Sequence, residues 1–364
     1  MLDSGRFAMQ PNPETKMSRT PLRPESIAAD LPSLPAQPAA TPWPTEQWSR
    51  GEPAPASEAR FTELTNEIFE LPPAKGVTYA LLVVHKGQLC YERYDAGANP
   101  FYFQYSWSMA KSITQALTGI LVEDGKLDLY GPAPVEEWQQ DDRRHITLDQ
   151  LLRMSSGLAF QEDYVDGAAS DVIPMLMYEG RHDTGAFAAS KPLEHPPGSF
   201  WSYSSGTTNI ICRILKETIV GGASGMLQFM NDRLFEPIGI RTATPKFDTS
   251  GTFIGSSFLL AIPQDFARFG LLYLRGGNWD GQQILTREWV DYARSPTIRT
   301  EEECYGAHWW MNPDNPDQFF ASGYDGQRVL CDPDRDLIVV RLGRTGAEEV
   351  DYVWDRVFEL AELF

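Results

Sequence analysis

The spacing of apolar and polar residues changes several times along the chain, and each change marks an element. Residues 61–74, FTELTNEIFELPPA, place apolar side chains at helical intervals until Pro72 and Pro73 stop the run, which predicts a short amphipathic helix. Residues 78–94, TYALLVVHKGQLCYERY, hold an apolar run, a Lys86-Gly87 turn and then alternation. That pattern predicts two paired strands. Matching strand signals return in residues 319–342, FFASGYDGQRVLCDPDRDLIVVRL, where residues 332–336 turn one strand into the next. The final run, VDYVWDRVFELAELF, predicts a closing helix.

Between these ends the period is helical. In residues 108–129 the apolar positions Ile113, Leu117, Ile120 and Leu121 give one buried face, and Asp124-Gly125 stops the helix. Thr147 and Gln150 have capping-box spacing ahead of a second helix. Residues 208–220, TNIICRILKETIV, predict a third, ended by Gly221-Gly222 and starting near Thr207 or Thr208. Strands from both chain ends around a helical middle predict an α+β fold: one antiparallel sheet with an inserted helical lobe at about residues 125–300.

Composition changes this picture at one end. Residues 1–60 hold 11 of the 27 prolines, so little regular structure is expected there. Trp43 and Trp48 are costly to leave in water, so about residues 40–60 are expected to pack on the body formed by residues 61–364. A formal charge of −19 disfavours nucleic acid or an anionic membrane as partner. No run of eighteen apolar residues reads as a membrane span, and the first twenty residues lack the pattern of a secretory signal. Cys90, Cys212, Cys304 and Cys331 are scattered without paired spacing. They read as thiols of a reducing compartment, and a cytoplasmic location follows as the default expectation. No phosphate cradle, cofactor motif or metal-ligand spacing is present.

The candidate chemistry begins with Ser108 and Lys111. Three residues apart at a helix start, they lie on one face. A serine hydroxyl becomes a strong nucleophile only when a base takes its proton, and a lysine of lowered pKa is such a base. With eight lysines in the chain, about half an S-x-x-K match is expected by chance. The plainer reading, a capping Ser108 and a solvated Lys111, therefore stays open on spacing alone. Tyr203 follows the Pro197-Gly198 turn in a loop where it can share a proton with a lysine, or simply pack at a domain edge. Ser204 and Ser205 are candidates for substrate binding or for capping the next helix. In residues 321–327, ASGYDGQ, Gly323 permits close backbone approach, and the next N–H, that of Tyr324, is placed to help form an oxyanion hole. A bulge or tight bend is the alternative.

Taken together, these segments resemble the serine beta-lactamase and penicillin-binding-protein superfamily, most of all the class C beta-lactamase-like esterases and the 6-aminohexanoate-dimer hydrolases. The S-x-x-K motif is Ser108-Met109-Ala110-Lys111, the Y-x-N motif corresponds to Tyr203-Ser204-Ser205, and the strand motif to Ala321-Ser322-Gly323. The resemblance covers about residues 70–362 and extends to the WPTEQW segment. It implies a beta-lactamase/transpeptidase-like fold and a serine that is acylated by a carbonyl and released by water. By the same resemblance Lys111 accepts the Ser108 proton, Tyr203 serves the leaving group, and the Ser108 and Tyr324 N–H groups hold the oxyanion.

Two departures matter. Ser205 stands where asparagine is usual, and Ala321 where lysine or histidine is usual. Both make lactam or peptidoglycan chemistry a weaker expectation than a small-molecule ester or linear amide. Residues 161–167, QEDYVDG, resemble the active-site loop of the dimer hydrolases, which makes Tyr164 a candidate for hydrogen bonding the amide nitrogen and Asp163 and Asp166 candidates for an amine terminus. His308 is a cleft-lining or structural candidate. Ser205 and Gly323 complete the expected substrate contacts, with no cofactor. A homodimer stays open, and a beta-lactamase or D-alanyl peptidase and a non-catalytic binding protein remain the competing readings.

Overall fold

The computed structural model describes residues 19–22, 31–72, 74–162, 170–346 and 349–364. Helix α1 (Glu58–Phe69) starts at Ser57, whose side chain accepts from the Arg60 N–H. Strands β1 (Val77–His85) and β2 (Gln88–Tyr94) then pair antiparallel. Lys86 and Gly87 between them both have positive φ, as a two-residue hairpin turn that follows strand twist requires. The middle of the chain supplies α2 (Ala110–Glu123), α3 (Leu148–Leu152), α4 (Ser205–Thr218) and α5 (Pro263–Leu274). Strands β3 (Ile298–Arg299), β4 (Cys304–Tyr305), β5 (Trp310–Met311), β6 (Phe319–Gly323), β7 (Gln327–Asp332) and β8 (Leu337–Arg344) follow. Helix α6 (Val350–Glu362) closes the chain.

These eight strands form one antiparallel sheet in the order β2-β1-β8-β7-β6-β5-β4-β3. The chain ends meet where β1 pairs with β8, with Leu82 opposite Val340. The unbroken apolar run of β1 has a physical cause, because both faces of the sheet are covered. Leu81 and Val83 pack with Phe61, Leu64, Trp354 and Phe358 beneath α1 and α6. Leu82 and Val84 point the other way, into the main core with α2 and α5.

Helix α2 departs from the one-faced pattern read from its sequence, since every residue from Ala110 to Leu121 is buried. Its polar side chains therefore need internal partners. Ser112 donates to the His308 carbonyl (2.8 Å) and Thr118 to the Thr114 carbonyl (2.8 Å). The Thr147–Gln150 capping box is present at the start of α3.

Part of the proline-rich arm lies against the body. Trp48 is buried, the Trp43 and Trp279 rings are 5.1 Å apart, and Arg268 donates to the Pro44 carbonyl at 2.8 Å. Leu89 of β2 donates to the Ser49 carbonyl at 2.9 Å. Further upstream, the Arg19 carbonyl accepts from Trp201 N–H at 2.7 Å and Leu22 N–H donates to the Thr297 carbonyl at 2.7 Å. All four cysteines are free. Among the described residues no helix is long and apolar enough to cross a membrane.

Candidate active site

Ser108 sits in a tight 3-10 turn, Trp107–Met109, that leads directly into α2. Trp107 has φ +45°, a left-handed conformation that costs a non-glycine residue about 1–2 kcal/mol. Its ring is held by Tyr105 (5.8 Å), Phe258 (5.9 Å) and Tyr324 (5.6 Å). Ser106 fixes the turn from the other side, donating from its N–H to the Leu259 carbonyl (2.8 Å) and accepting the Leu259 N–H on its hydroxyl (3.2 Å). The cap reading of Ser108 does not hold: α2 has Met109 at its N-cap and no side-chain cap.

Lys111 is in the first turn of α2, buried, and its Nζ lies 3.0 Å from each of three oxygens: Ser108 Oγ, Ser205 Oγ and the Ser256 carbonyl. Burial pushes its pKa down to about 8, while Glu162 and Cys212 pull in the opposite direction. Desolvation dominates because an ammonium in apolar surroundings loses more hydration than a few polar contacts return. At pH 7 roughly a tenth of the lysine is then a neutral amine.

Tyr203 precedes α4, whose first turn is capped by the Ser204 hydroxyl accepting from Thr207 N–H (3.0 Å). The helix begins at Ser205, two residues earlier than its apolar period suggests, because this cap lets the polar residues 205–207 take helical geometry. The Tyr203 ring lies 4.7 Å from Lys111 Nζ and packs against Trp310 and Tyr305. Its hydroxyl is buried with no hydrogen bond of normal geometry. Burial, then Glu162, holds its pKa well above the ordinary phenol value, and the Ser108 hydroxyl works against that rise. Tyr203 is therefore a protonated phenol on the Ser108 side at neutral pH.

The end of β6 approaches this turn closely. A Cβ on Gly323 would lie 2.3 Å from the Ser106 carbonyl, so only glycine lets the strand end approach the turn that carries Ser108. Tyr324 follows directly, and Asp325 beyond it takes φ +62°. Arg341, fully buried, holds the turn by donating to the carbonyls of Asp325 (3.1 Å) and Gly326 (3.0 Å).

Two groups not singled out in the sequence join the cluster. Glu162 accepts from Ser205 N–H at 2.6 Å and from the Ser205 hydroxyl at 2.7 Å. The Ser256 carbonyl accepts from Lys111, and its segment is tied to α4 through Asn209 (3.2 Å) and to α2 through Thr114 (3.3 Å). Glu162 lies within the loop of residues 161–167, beside Asp163 and Asp166, and nothing local sets it apart from those acidic neighbours. A backbone carbonyl leaves no signal either.

His308 needs a correction. It is buried, its Nδ1 is 2.7 Å from the Leu152 carbonyl and its Nε2 is 2.9 Å from Thr208 Oγ1. Burial pushes its pKa down to about 3. Both nitrogens are taken, so this neutral ring braces α4 and leaves no polar atom for a substrate. Ala321 faces the main core. Asp163, Tyr164 and Asp166 lie outside the described residues.

A cavity of about 360 Å³ opens on the Tyr203 and Ser204 side of the pair, bordered by Glu162, Arg19, Glu303 and Trp310. On the Ser108 side the rings that flank Trp107, Tyr105 and Tyr324, are exposed.

A two-ended antiparallel sheet with a helical lobe, and a serine–lysine pair at the head of the buried helix, make this a beta-lactamase/transpeptidase-like fold. The sequence profile described as Beta-lactamase matches residues 69–362, and the chain belongs to that family. It is similar to the 6-aminohexanoate-dimer hydrolase of Paenarthrobacter ureafaciens, with 25% identity over 328 residues covering 82% of each chain. Among solved structures, a Bacillus anthracis protein provisionally named 6-aminohexanoate-dimer hydrolase superposes with a TM-score of 0.71 at 23% identity, covering 95% of this chain and 93% of the other. A family VIII carboxylesterase superposes with a TM-score of 0.65 at 14% identity over 86% and 98% of the two chains. The family and the curated relative make the chain a hydrolase-family protein.

Proposed function

We propose that this chain hydrolyses a small-molecule carboxylic ester or linear amide through an acyl group carried on Ser108. The observation that carries the reading is the 3.0 Å contact between the Ser108 hydroxyl and a fully buried lysine whose pKa is pushed down to about 8. Neutral Lys111 takes the Ser108 proton as Oγ bonds to the substrate carbonyl carbon. The Ser108 and Tyr324 N–H groups stabilise the oxyanion. As the tetrahedral species collapses, the bond to the leaving oxygen or nitrogen breaks and Tyr203 supplies it with a proton, regaining one from Lys111. Water then attacks the acyl-serine carbonyl carbon, losing its proton to the same base; the bond from that carbon to Ser108 Oγ breaks, Oγ takes the proton back from the base, and the acid leaves.

The surroundings favour this substrate class over lactams. The cavity beside Tyr203 gives the departing group a polar exit, and the aromatic surface near Trp107 suits an apolar acyl group. Ala321 offers no polar or cationic group to a lactam carboxylate. Intact-mass analysis after a short activated ester should show an acyl adduct in the wild type and none in Ser108→Ala. Turnover should then rank the ester first, a linear ω-amino amide second and a cephalosporin last by kcat/KM. A persistent adduct of equal yield in Ser108→Ala removes the nucleophile assignment. Cephalosporin turnover above both others removes the substrate class.

A further inference from the structure

Lys111 offers its nitrogen to three oxygens at once, and they are not equivalent. The Ser256 carbonyl can only accept. A serine hydroxyl can accept or donate, so Ser108 and Ser205 compete for the single lone pair of the neutral amine. What breaks the tie is the partner of Ser205. Glu162 accepts the Ser205 hydroxyl proton on one oxygen at 2.7 Å and the Ser205 backbone N–H on the other at 2.6 Å. With its proton committed, Ser205 Oγ presents only lone pairs to Lys111. The two N–H bonds of a neutral amine then go to Ser205 Oγ and the Ser256 carbonyl, and the remaining direction, that of the lone pair, faces Ser108.

We propose that Glu162 is a positioning residue that acts through Ser205 to aim the Lys111 lone pair at the Ser108 hydroxyl. The inference rests on the acyl-Ser108 reading above. The proton balance is simple: the Ser108 proton passes to the aimed nitrogen while Oγ bonds to the carbonyl carbon, and Glu162 neither gains nor loses a proton. Without the carboxylate, the Ser205 hydroxyl turns toward the neutral amine and occupies the lone pair meant for Ser108.

Glu162 also sets the charge around the amine. Among the described residues, the other titratable groups facing Lys111 are neutral near pH 7. Burial lifts the Cys212 thiol to about 12 and drops His308 to about 3, and Tyr203 is held above the phenol value. Among the described residues, Glu162 is the strongest influence favouring the Lys111 ammonium, against the larger effect of burial.

The test is a double-mutant cycle of Glu162→Gln and Ser205→Ala, read as kcat/KM of a short ester against pH with adduct formation by mass. Glutamine keeps the shape but supplies one acceptor where Ser205 presents two donors. The high-pH plateau is expected to fall about 10- to 100-fold. The acid limb should move to lower pH by about one unit, because the charge favouring the ammonium is gone. A residue that merely supported the loop would not shift that limb. Ser205→Ala should lower the plateau similarly, and adding Glu162→Gln to it should cost no further plateau activity. Ser205→Ala keeps the carboxylate and can be read even where Glu162→Gln does not fold; a wild-type plateau in it overturns the inference. So does a folded Glu162→Gln with wild-type plateau and limb, or losses that multiply in the double variant. Ser108→Ala run alongside separates the levels: full adduct yield there removes the acyl-serine reading itself.

Discussion

Replacing Lys111 with methionine should abolish turnover and yet change stability in a direction set by pH. The wild-type lysine falls from 10.5 to about 8 on folding because it is buried. That fall corresponds to about 3 kcal/mol of destabilisation wherever the folded lysine must carry its proton. The unfolded chain binds the proton more tightly, so the penalty is complete below about pH 8. It fades between about pH 8 and 10.5, as the folded amine gives up a proton that the unfolded chain keeps, and is absent above. Methionine fills similar volume without charge. Against this, the substitution leaves the Ser256 carbonyl and Ser205 without their lysine partner, at a cost of about 1–3 kcal/mol. Near pH 6 the two effects nearly offset, with Lys111→Met equal to or up to about 2 kcal/mol more stable than wild type. Near pH 10 the variant should be the less stable protein, the difference between the two having moved by about 2–3 kcal/mol. Urea unfolding of both proteins at the two pH values, with equal m-values, measures this. A stability difference independent of pH would refute the reasoning, because the folded lysine would then hold its proton as strongly as the unfolded one.

Tyr203→Phe removes only a buried hydroxyl that has no hydrogen bond of normal geometry, so melting temperature should hold while kcat on a linear amide falls about 100-fold or more; comparing the amide with an activated ester checks it, since the ester needs less help with its leaving group. Gly323→Ala drives a methyl group against the Ser106 carbonyl, and should lower kcat about 100-fold by displacing the proposed oxyanion donor at Tyr324, with about 1–3 kcal/mol lost in urea unfolding. Thr147→Ala removes half of the capping box that starts α3, and should cost about 1 kcal/mol with kcat/KM unchanged.

The elements most legible in the sequence are those fixed by local period or local chemistry. The β1–β2 hairpin follows from an apolar run ending in Lys86-Gly87, and the α3 cap from Thr147 and Gln150. Ser108 and Lys111 are legible as a pair because three residues of helical rise bring them together without help from the rest of the fold. That every face of α2 is buried was not legible, since Ser112, Thr114 and Thr118 look solvent-facing until their backbone partners are known. His308 carries the same lesson: the sequence leaves a cleft-lining and a structural role open, and only the Leu152 carbonyl and Thr208 reveal a brace. Glu162 is one of 50 acidic residues and meets Ser205 across 43 positions, so no local pattern selects it.

The departure at Ser205 and the presence of Glu162 are two halves of one physical arrangement. An asparagine side chain has separate ends, an oxygen that accepts from a lysine and an N–H2 that can only donate, so its polarity toward the lysine is fixed by covalent structure. A serine has one oxygen for both tasks and no fixed polarity. Here the missing direction comes from outside the side chain, from a carboxylate that accepts the serine's only hydroxyl proton. The carboxylate also takes the Ser205 N–H, one of the first-turn donors of α4 that the helix itself cannot satisfy. A single acidic side chain therefore secures the helix start and orients the hydroxyl that touches Lys111. The exchange has a chemical consequence. An amide in this position adds no charge, whereas Glu162 favours the lysine ammonium and so opposes the burial that makes Lys111 a base near neutral pH. On the proposed mechanism the site gains direction at some loss of neutral amine, which suits a substrate whose carbonyl is reactive enough that geometry, more than base supply, limits the proposed attack of Ser108.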